Sequence, residues 1–228
     1  TQTDWSAVLR CHTLDPGRRR QAVSAIAGQY WKPVYCYLLR KCGNIHEAED
    51  LTQGFFEQVV LGKELIQQAD AGRGRFRTFL LAALNNFAKG EHRKQTTQKC
   101  APAGGVISLA GLDGWNAPEP AATATPEQAF TFTWASSLLD AVLTEVQARC
   151  VRDGLGTHWA VFHARILHPI LTDADPPSLP ELCVQHGIAR EATASSMIVT
   201  VKRRFENILR SKVRPLVNSD AEVEAEID

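Results

Sequence analysis

The chain has 228 residues, of which 44% are hydrophobic, 22% charged and 7% aromatic. That length admits one or two domains with real cores, which excludes disorder throughout. No stretch approaches the roughly 18 uninterrupted apolar residues of a membrane-spanning helix, so no membrane partner is expected. Lys/Arg and Asp/Glu balance at 25 each, but unevenly: 15 basic against 9 acidic residues over 1–99, 1 against 5 over 100–150, 9 against 6 over 151–217 and 0 against 5 over 218–228. Two basic blocks, an acidic stretch between them and an acidic tail fit two modules that meet polyanions; two solvated surfaces with a solubilising tail fit as well.

Helical periodicity dominates, with no sustained apolar/polar alternation and no Asn-Gly or Asp-Gly hairpin, so the expected class is all-α. A short helix is expected over Asp4–His12, then a turn at Asp15-Pro16-Gly17 and a helix over Arg18–Tyr30. Pro33 fits the first turn of a third helix, where its missing N–H costs nothing, and Gly43 suits that helix's left-handed C-cap. Asn44 with Glu47 reads as a capping pair opening a helix over Ile45–Leu61. There Ala48, Leu51, Phe55 and Val59 form a core stripe, Phe56 and Val60 lie at its border, and Glu49, Asp50, Gln53 and Glu57 make an acidic outer face.

Lys63–Gly74 reads as a loop, with a helical turn over Glu64–Gln68. A helix over Arg75–Lys94 follows, with Phe76, Phe79, Leu80, Ala83, Leu84 and Phe87 repeating at the spacing of a face packed along its length. Its other face carries Arg75, Arg77, Asn85, Asn86, Lys89, His92 and Arg93, with Lys94 beyond. Residues 95–125, rich in Thr, Gln, Gly, Ala and Pro, read as a flexible linker. Thr125-Pro126-Glu127 opens the next helix by an N-cap and an N1 proline; it runs to about Arg152 and stops near Gly154 or Gly156. A helix over Thr157–Leu171 precedes a break at Asp173–Pro177. Last come a short helix over Leu179–His186, a turn at Gly187-Ile188 and a long helix from Arg190 to Val213 with Met197, Val201, Phe205 and Ile208 in its core stripe. Short helix, glycine turn and longer helix is the outline of a helix-turn-helix.

Catalytic chemistry is absent from the motifs. There is no G-x-S-x-G, no H-E-x-x-H and no glycine run ending in G-K-[ST], so a binding protein without catalytic residues or cofactor is expected. Cysteines at 11, 36, 42, 100, 150 and 183 form no C-x-x-C pair, and reduced thiols in a cytoplasm are their expected state. His158, His163 and His168 recur every five residues; each step on an α-helix turns about 140°, so they are not expected to share a face, and no metal site is expected.

Three stretches carry a resemblance: Tyr30-Trp31-Lys32-Pro33-Val34-Tyr35, then Glu47-Ala48-Glu49-Asp50-Leu51-Thr52-Gln53-Gly54-Phe55-Phe56, then Gly74-Arg75-Phe76-Arg77-Thr78-Phe79-Leu80-Leu81 running on to Phe87. Together they resemble region 2 of the sigma-70 family, in its small extracytoplasmic-function branch and in the form abundant in planctomycetes, to which the Trp5-Ser6-Ala7-Val8 opening is also similar. The C-terminal helix-turn-helix resembles region 4, and the likeness spans about residues 4–217.

The resemblance implies two small helical domains: region 2 over 1–94 and region 4 over 126–217, joined by the 95–125 linker and followed by the acidic tail 218–228. It implies a promoter-specificity subunit whose partners are the bacterial RNA polymerase core (its clamp helices and flap) and promoter DNA, under the control of an anti-sigma factor or a regulatory kinase. The clamp contacts carried over are Glu49, Asp50, Gln53 and Glu57, with Phe56 beside them. Strand-separated DNA at the minus-ten element would meet Arg73, Arg75, Arg77, Asn85, Asn86, Lys89, His92, Arg93 and Lys94. In the helix-turn-helix, Arg190, Thr193, Ser195 and Ser196 would lie nearest base edges, with Thr200 further along and Lys202, Arg203 and Arg204 toward phosphates. Ala192, Ala194, Ser195 and Ser196 depart from the long polar readers common in the family. The alternative is a sigma-like or helix-turn-helix regulator that binds polymerase or DNA without supporting promoter opening.

Overall fold

The computed structural model describes residues 16–61, 76–97, 121, 123–214 and 223–224. These are helical almost throughout, and no strand occurs among them. By contact density the chain divides into two compact units, residues 1–138 with 213–228, and residues 139–212. No described helix is long and apolar enough to cross a membrane. The helix expected over Asp4–His12 and the loop expected over Lys63–Gly74 lie outside the described residues.

The first unit opens with helix α1, Pro16–Cys42. The sequence predicts two helices here, divided before Pro33; the structure has one, with Pro33 inside it. An interior proline removes a backbone hydrogen bond and costs about 3 kcal/mol in isolation. The turns on both sides of Pro33 offset that by burying Tyr30, Val34, Tyr37 and Leu38 in one core, at about 1.5–3 kcal/mol for each large side chain. Tertiary packing therefore overrides the local break. Gly43, at φ +70°, ends α1 as expected, its N–H bonded to the Leu39 carbonyl at 2.8 Å.

Asn44 caps helix α2, Ile45–Phe55, its side-chain oxygen accepting from the Glu47 N–H at 3.1 Å. From Phe56 to Leu61 the helix loosens into a π-helical turn. The buried arc is wider than the expected stripe. Ala48, Thr52, Phe55 and Phe56 are all buried, and the Thr52 hydroxyl is satisfied by the Ala48 carbonyl at 2.6 Å. Helix α3, Phe76–Thr97, buries Phe76, Leu80 and Leu84 as its spacing predicts, with Phe79, Ala83 and Phe87 half-buried beside them. It extends three residues into the stretch expected to be linker.

Helix α4, Pro126–Arg152, starts and stops where the sequence places it. Thr125 and Gln128 exchange hydrogen bonds at its start: the Thr125 Oγ1 accepts from the Gln128 N–H at 3.2 Å, and the Thr125 N–H donates to Gln128 Oε1 at 2.8 Å. The division into units falls inside α4, between Leu138 and Leu139. Its opening turns belong to the first unit: Phe130 and Trp134 are buried in the core that holds Tyr30, Tyr37 and Phe76, with the Tyr30 and Phe130 rings stacked at 6.4 Å.

In the second unit, Gly154 at φ +72° ends α4, and the Leu155 N–H reaches back to the Cys150 carbonyl at 2.7 Å. A continuous helical stretch follows: α5, Gly156–Phe162, a π-helical segment, His163–Leu167, and α6, His168–Thr172. Arg165 Nη1 then ties down the break before the next helix by donating to the carbonyls of Pro176 at 3.1 Å and Pro177 at 2.5 Å. Helix α7, Leu179–His186, opens on a full capping box between Ser178 and Glu181 and closes on Gly187 at φ +64°. Helix α8, Glu191–Val213, completes the unit. Val161, Leu182 and Ala194 are buried at the centre where α5, α7 and α8 pack, flanked by Cys183, Ile188 and Met197.

Candidate functional site

The amphipathic cut of α2 sets its outer face. Phe56 is only 4% exposed and stacks on Trp31 at 5.1 Å. It belongs to the core, which corrects its expected role as a contact beside the acidic residues. Asp50 and Glu57 are exposed, and Glu49 and Gln53 are half-buried. Gln53 Nε2 donates to Glu57 Oε1 at 2.9 Å, so one helical turn pre-aligns the two. His46 Nδ1 lies 3.7 Å from Glu49, an ion pair when the imidazole is protonated. Tyr35 packs from α1; burial first, then the charge of Glu49, raises its hydroxyl above the ordinary phenol value. The face carries carboxylates opposite a buried side whose one polar group, the Thr52 hydroxyl, is satisfied within the helix. Chemically it can orient basic side chains of a partner.

The basic face of α3 divides. Arg73 and Arg75 lie outside the described residues. Arg77 is half-buried, with its guanidinium 4.4 Å from the centroid of the Trp134 ring of α4. A cation–π contact of this kind is worth about 0.5–2 kcal/mol and fixes the side chain on the helix flank. Asn86, Lys89, His92, Arg93 and Lys94 are exposed and Asn85 is half-buried. Lys94 Nζ is paired with Glu91 at 2.7 Å. The accessible positions therefore cluster toward the C-terminal half of α3, while its N-terminal end is covered by α4.

On the helix-turn-helix, Arg190, Thr193, Ser196, Lys202 and Arg203 are exposed, and Ser195 and Thr200 are half-buried. The Thr200 hydroxyl donates to the Ser196 carbonyl at 2.9 Å, a local bond that occupies its proton. Ala194 is fully buried against Val161 and Leu182; its small size serves the packing of α8 rather than a groove. Arg204 Nη1 donates to Asp153 Oδ2 at 2.5 Å, a pairing that no local spacing signals. Trp134 over Arg77 is likewise invisible to local spacing, because it too joins distant segments.

Among the described residues no group of three or more His, Cys, Asp or Glu is arranged to hold a metal ion. One expectation about the histidines is corrected: the rings of His163 and His168 do meet, at 6.4 Å between centroids. The π-helical backbone between them changes the register that an α-helix would give.

No protein family matches the chain, and neither does any curated protein or solved structure.

Proposed function

We propose that the protein is a sigma-like promoter-specificity subunit of bacterial RNA polymerase. The observation that carries this reading is the α2 surface: Glu49, Asp50, Gln53 and Glu57 on the open side of a helix whose opposite side is fully committed to the core. A rigid carboxylate-bearing helix suits docking onto a basic surface of the polymerase clamp, where such charges set orientation and association rate. Lys89 and Arg93 supply the cationic surface that a separated strand requires, with His92 beside them, each neutralised phosphate adding about −0.7 to the salt slope on single strands. Arg190, Thr193, Ser196, Lys202 and Arg203 supply the corresponding surface on the helix-turn-helix.

The test is reconstitution of the full chain with core polymerase and transcription from the promoter upstream of its own gene. Glu49→Lys with Asp50→Lys is expected to abolish core binding without unfolding the protein, since Asp50 is exposed and Glu49 only half-buried; a thermal melt of the variant checks the fold. Normal core binding by that double variant overturns the reading.

Two contacts favour a second reading, a regulator that occupies polymerase or DNA without opening promoters. Arg77 packs on Trp134 and Arg204 pairs with Asp153, so two of the expected DNA contacts serve internal structure. Under the lead reading, Lys89→Ala with Arg93→Ala impairs open-complex formation while core binding persists. Under the second, the wild-type protein binds core polymerase or duplex DNA and forms no open complex.

A further inference from the structure

In the second unit, His163 begins the π-helical segment and His168 follows it, and the His168 N–H bonds back to the His163 carbonyl. That five-residue hydrogen bond sets the two residues one above the other on successive turns. Both side chains are exposed. Their rings lie 6.4 Å apart, inclined at 53°. Among the described residues neither imidazole has a hydrogen bond or ion pair. The Trp159 ring also lies against His163, at 6.1 Å between centroids.

We propose that His163 and His168 form a two-imidazole clip for one divalent transition-metal ion of the nickel, copper and zinc type. Neutral imidazole is the side chain such ions favour, over carboxylate-preferring magnesium and calcium. With metal–nitrogen bonds of about 2.0–2.1 Å, two chelating rings sit about 5 Å apart between centroids. The observed 6.4 Å is within about 1.5 Å of that separation, and both side chains are exposed. Two protein ligands leave the remaining positions to water. The clip owes its existence to the π segment, because an α-helical register turns His163 and His168 to different sides. It stands independently of any role in transcription.

The test is calorimetric titration of the full chain with nickel chloride alone at neutral pH. One nickel ion per chain is expected to bind through this pair. His163→Ala and His168→Ala should each weaken that event by about tenfold or more, and the double variant should be no weaker than either single one, because a chelate needs both arms. Copper(II) should quench Trp159 fluorescence, by difference from Trp159→Phe, in wild type and not in the double variant. His46→Ala, a change at an exposed histidine of the first unit, should leave the event intact. Failure of nickel to bind, or nickel binding unaltered in both single variants, overturns the proposal. Both residues are exposed, so loss of the fold does not confuse the outcome.

Discussion

Arg204 reaches across 51 residues of sequence to bond the Asp153 carboxylate at 2.5 Å, fastening α8 to the chain just beyond α4. A second staple lies nearby: Glu145 accepts from Lys212 Nζ at 2.8 Å and also pairs with Arg149. Both acids are held below their ordinary carboxyl values, Asp153 chiefly by the Arg204 hydrogen bond and Glu145 by those from Lys212 and then Arg149.

These staples predict an acid response. A carboxyl whose folded pKa is depressed contributes stability that is complete above its unfolded value, 3.8 for Asp and 4.5 for Glu, and is lost as pH falls through the folded value. The second unit should therefore keep constant stability down to about pH 5 and weaken progressively below it. Thermal melts of wild type and Arg204→Ala across this range are the measurement. The variant should be less stable at neutral pH and show a shallower acid loss; superimposable pH profiles would count against the staple.

The first unit should be alkali-sensitive instead. Burial, followed by the neighbouring charge of Glu127, pushes the Tyr37 hydroxyl up to about 12. A raised folded pKa gives stability that is complete below the unfolded value of 10.0 and is lost as pH rises toward 12. Tyr37→Phe should remove that part of the alkaline destabilisation, read as melting temperature against pH. An unchanged alkaline limb would rule out ionisation of Tyr37 as its source.

Gly54 offers a stabilising change. Its backbone is helical, and an added methyl would meet Phe87 at 3.6 Å and Gln58 at 3.7 Å, both ordinary contacts. Gly54→Ala should stabilise the first unit by about 0.5–1 kcal/mol through reduced unfolded-state freedom. Urea melts decide it, and a loss of stability would mean that the α2–α3 packing does not tolerate even a methyl.

The opening turns of α4 belong to the core of the first unit. Phe130→Ala should cost about 3–5 kcal/mol, whereas Phe132→Ala, at a 40% exposed position, should stay within about 0.5 kcal/mol. A fragment ending at 125 should consequently melt far lower than one ending at 138. Equal melting temperatures would remove Phe130 and Trp134 from the account of the first unit.

Wherever neighbours in sequence decide the outcome, the chain was legible. Gly43, Asn44, Thr125-Pro126, Gly154 and Gly187 mark helix ends correctly because capping is a local transaction between a side chain or a free φ angle and the nearest backbone groups. The phenylalanine spacing of α3 gave its buried face for the same reason. Pro33 misled because its local cost is outweighed by residues elsewhere. Phe56 misled because it lies at the edge of the buried arc, one α-helical step of four beyond Thr52, where periodicity does not tell a core residue from a border one. At the candidate site, the solvent side of α2 could be read from periodicity, but the engagement of Arg77 with Trp134 and of Arg204 with Asp153 could not. Those pairs depend on tertiary proximity between residues 57 and 51 positions apart, and a charge on a helix face reads the same whether it awaits a ligand or already has a neighbour. His163 and His168 were separated by a rule valid only for the α register.

A π-helical turn is an α-helix that has absorbed one surplus residue, so the Phe56–Leu61 segment marks a point of slack in the chain's counting. Removing a single residue there would shorten the protein and yet regularise the helix. Everything downstream would then emerge rotated by about 100°. The irregularity is also tied to the core, because Phe56, the first residue of the segment, is buried against Trp31 and Phe55.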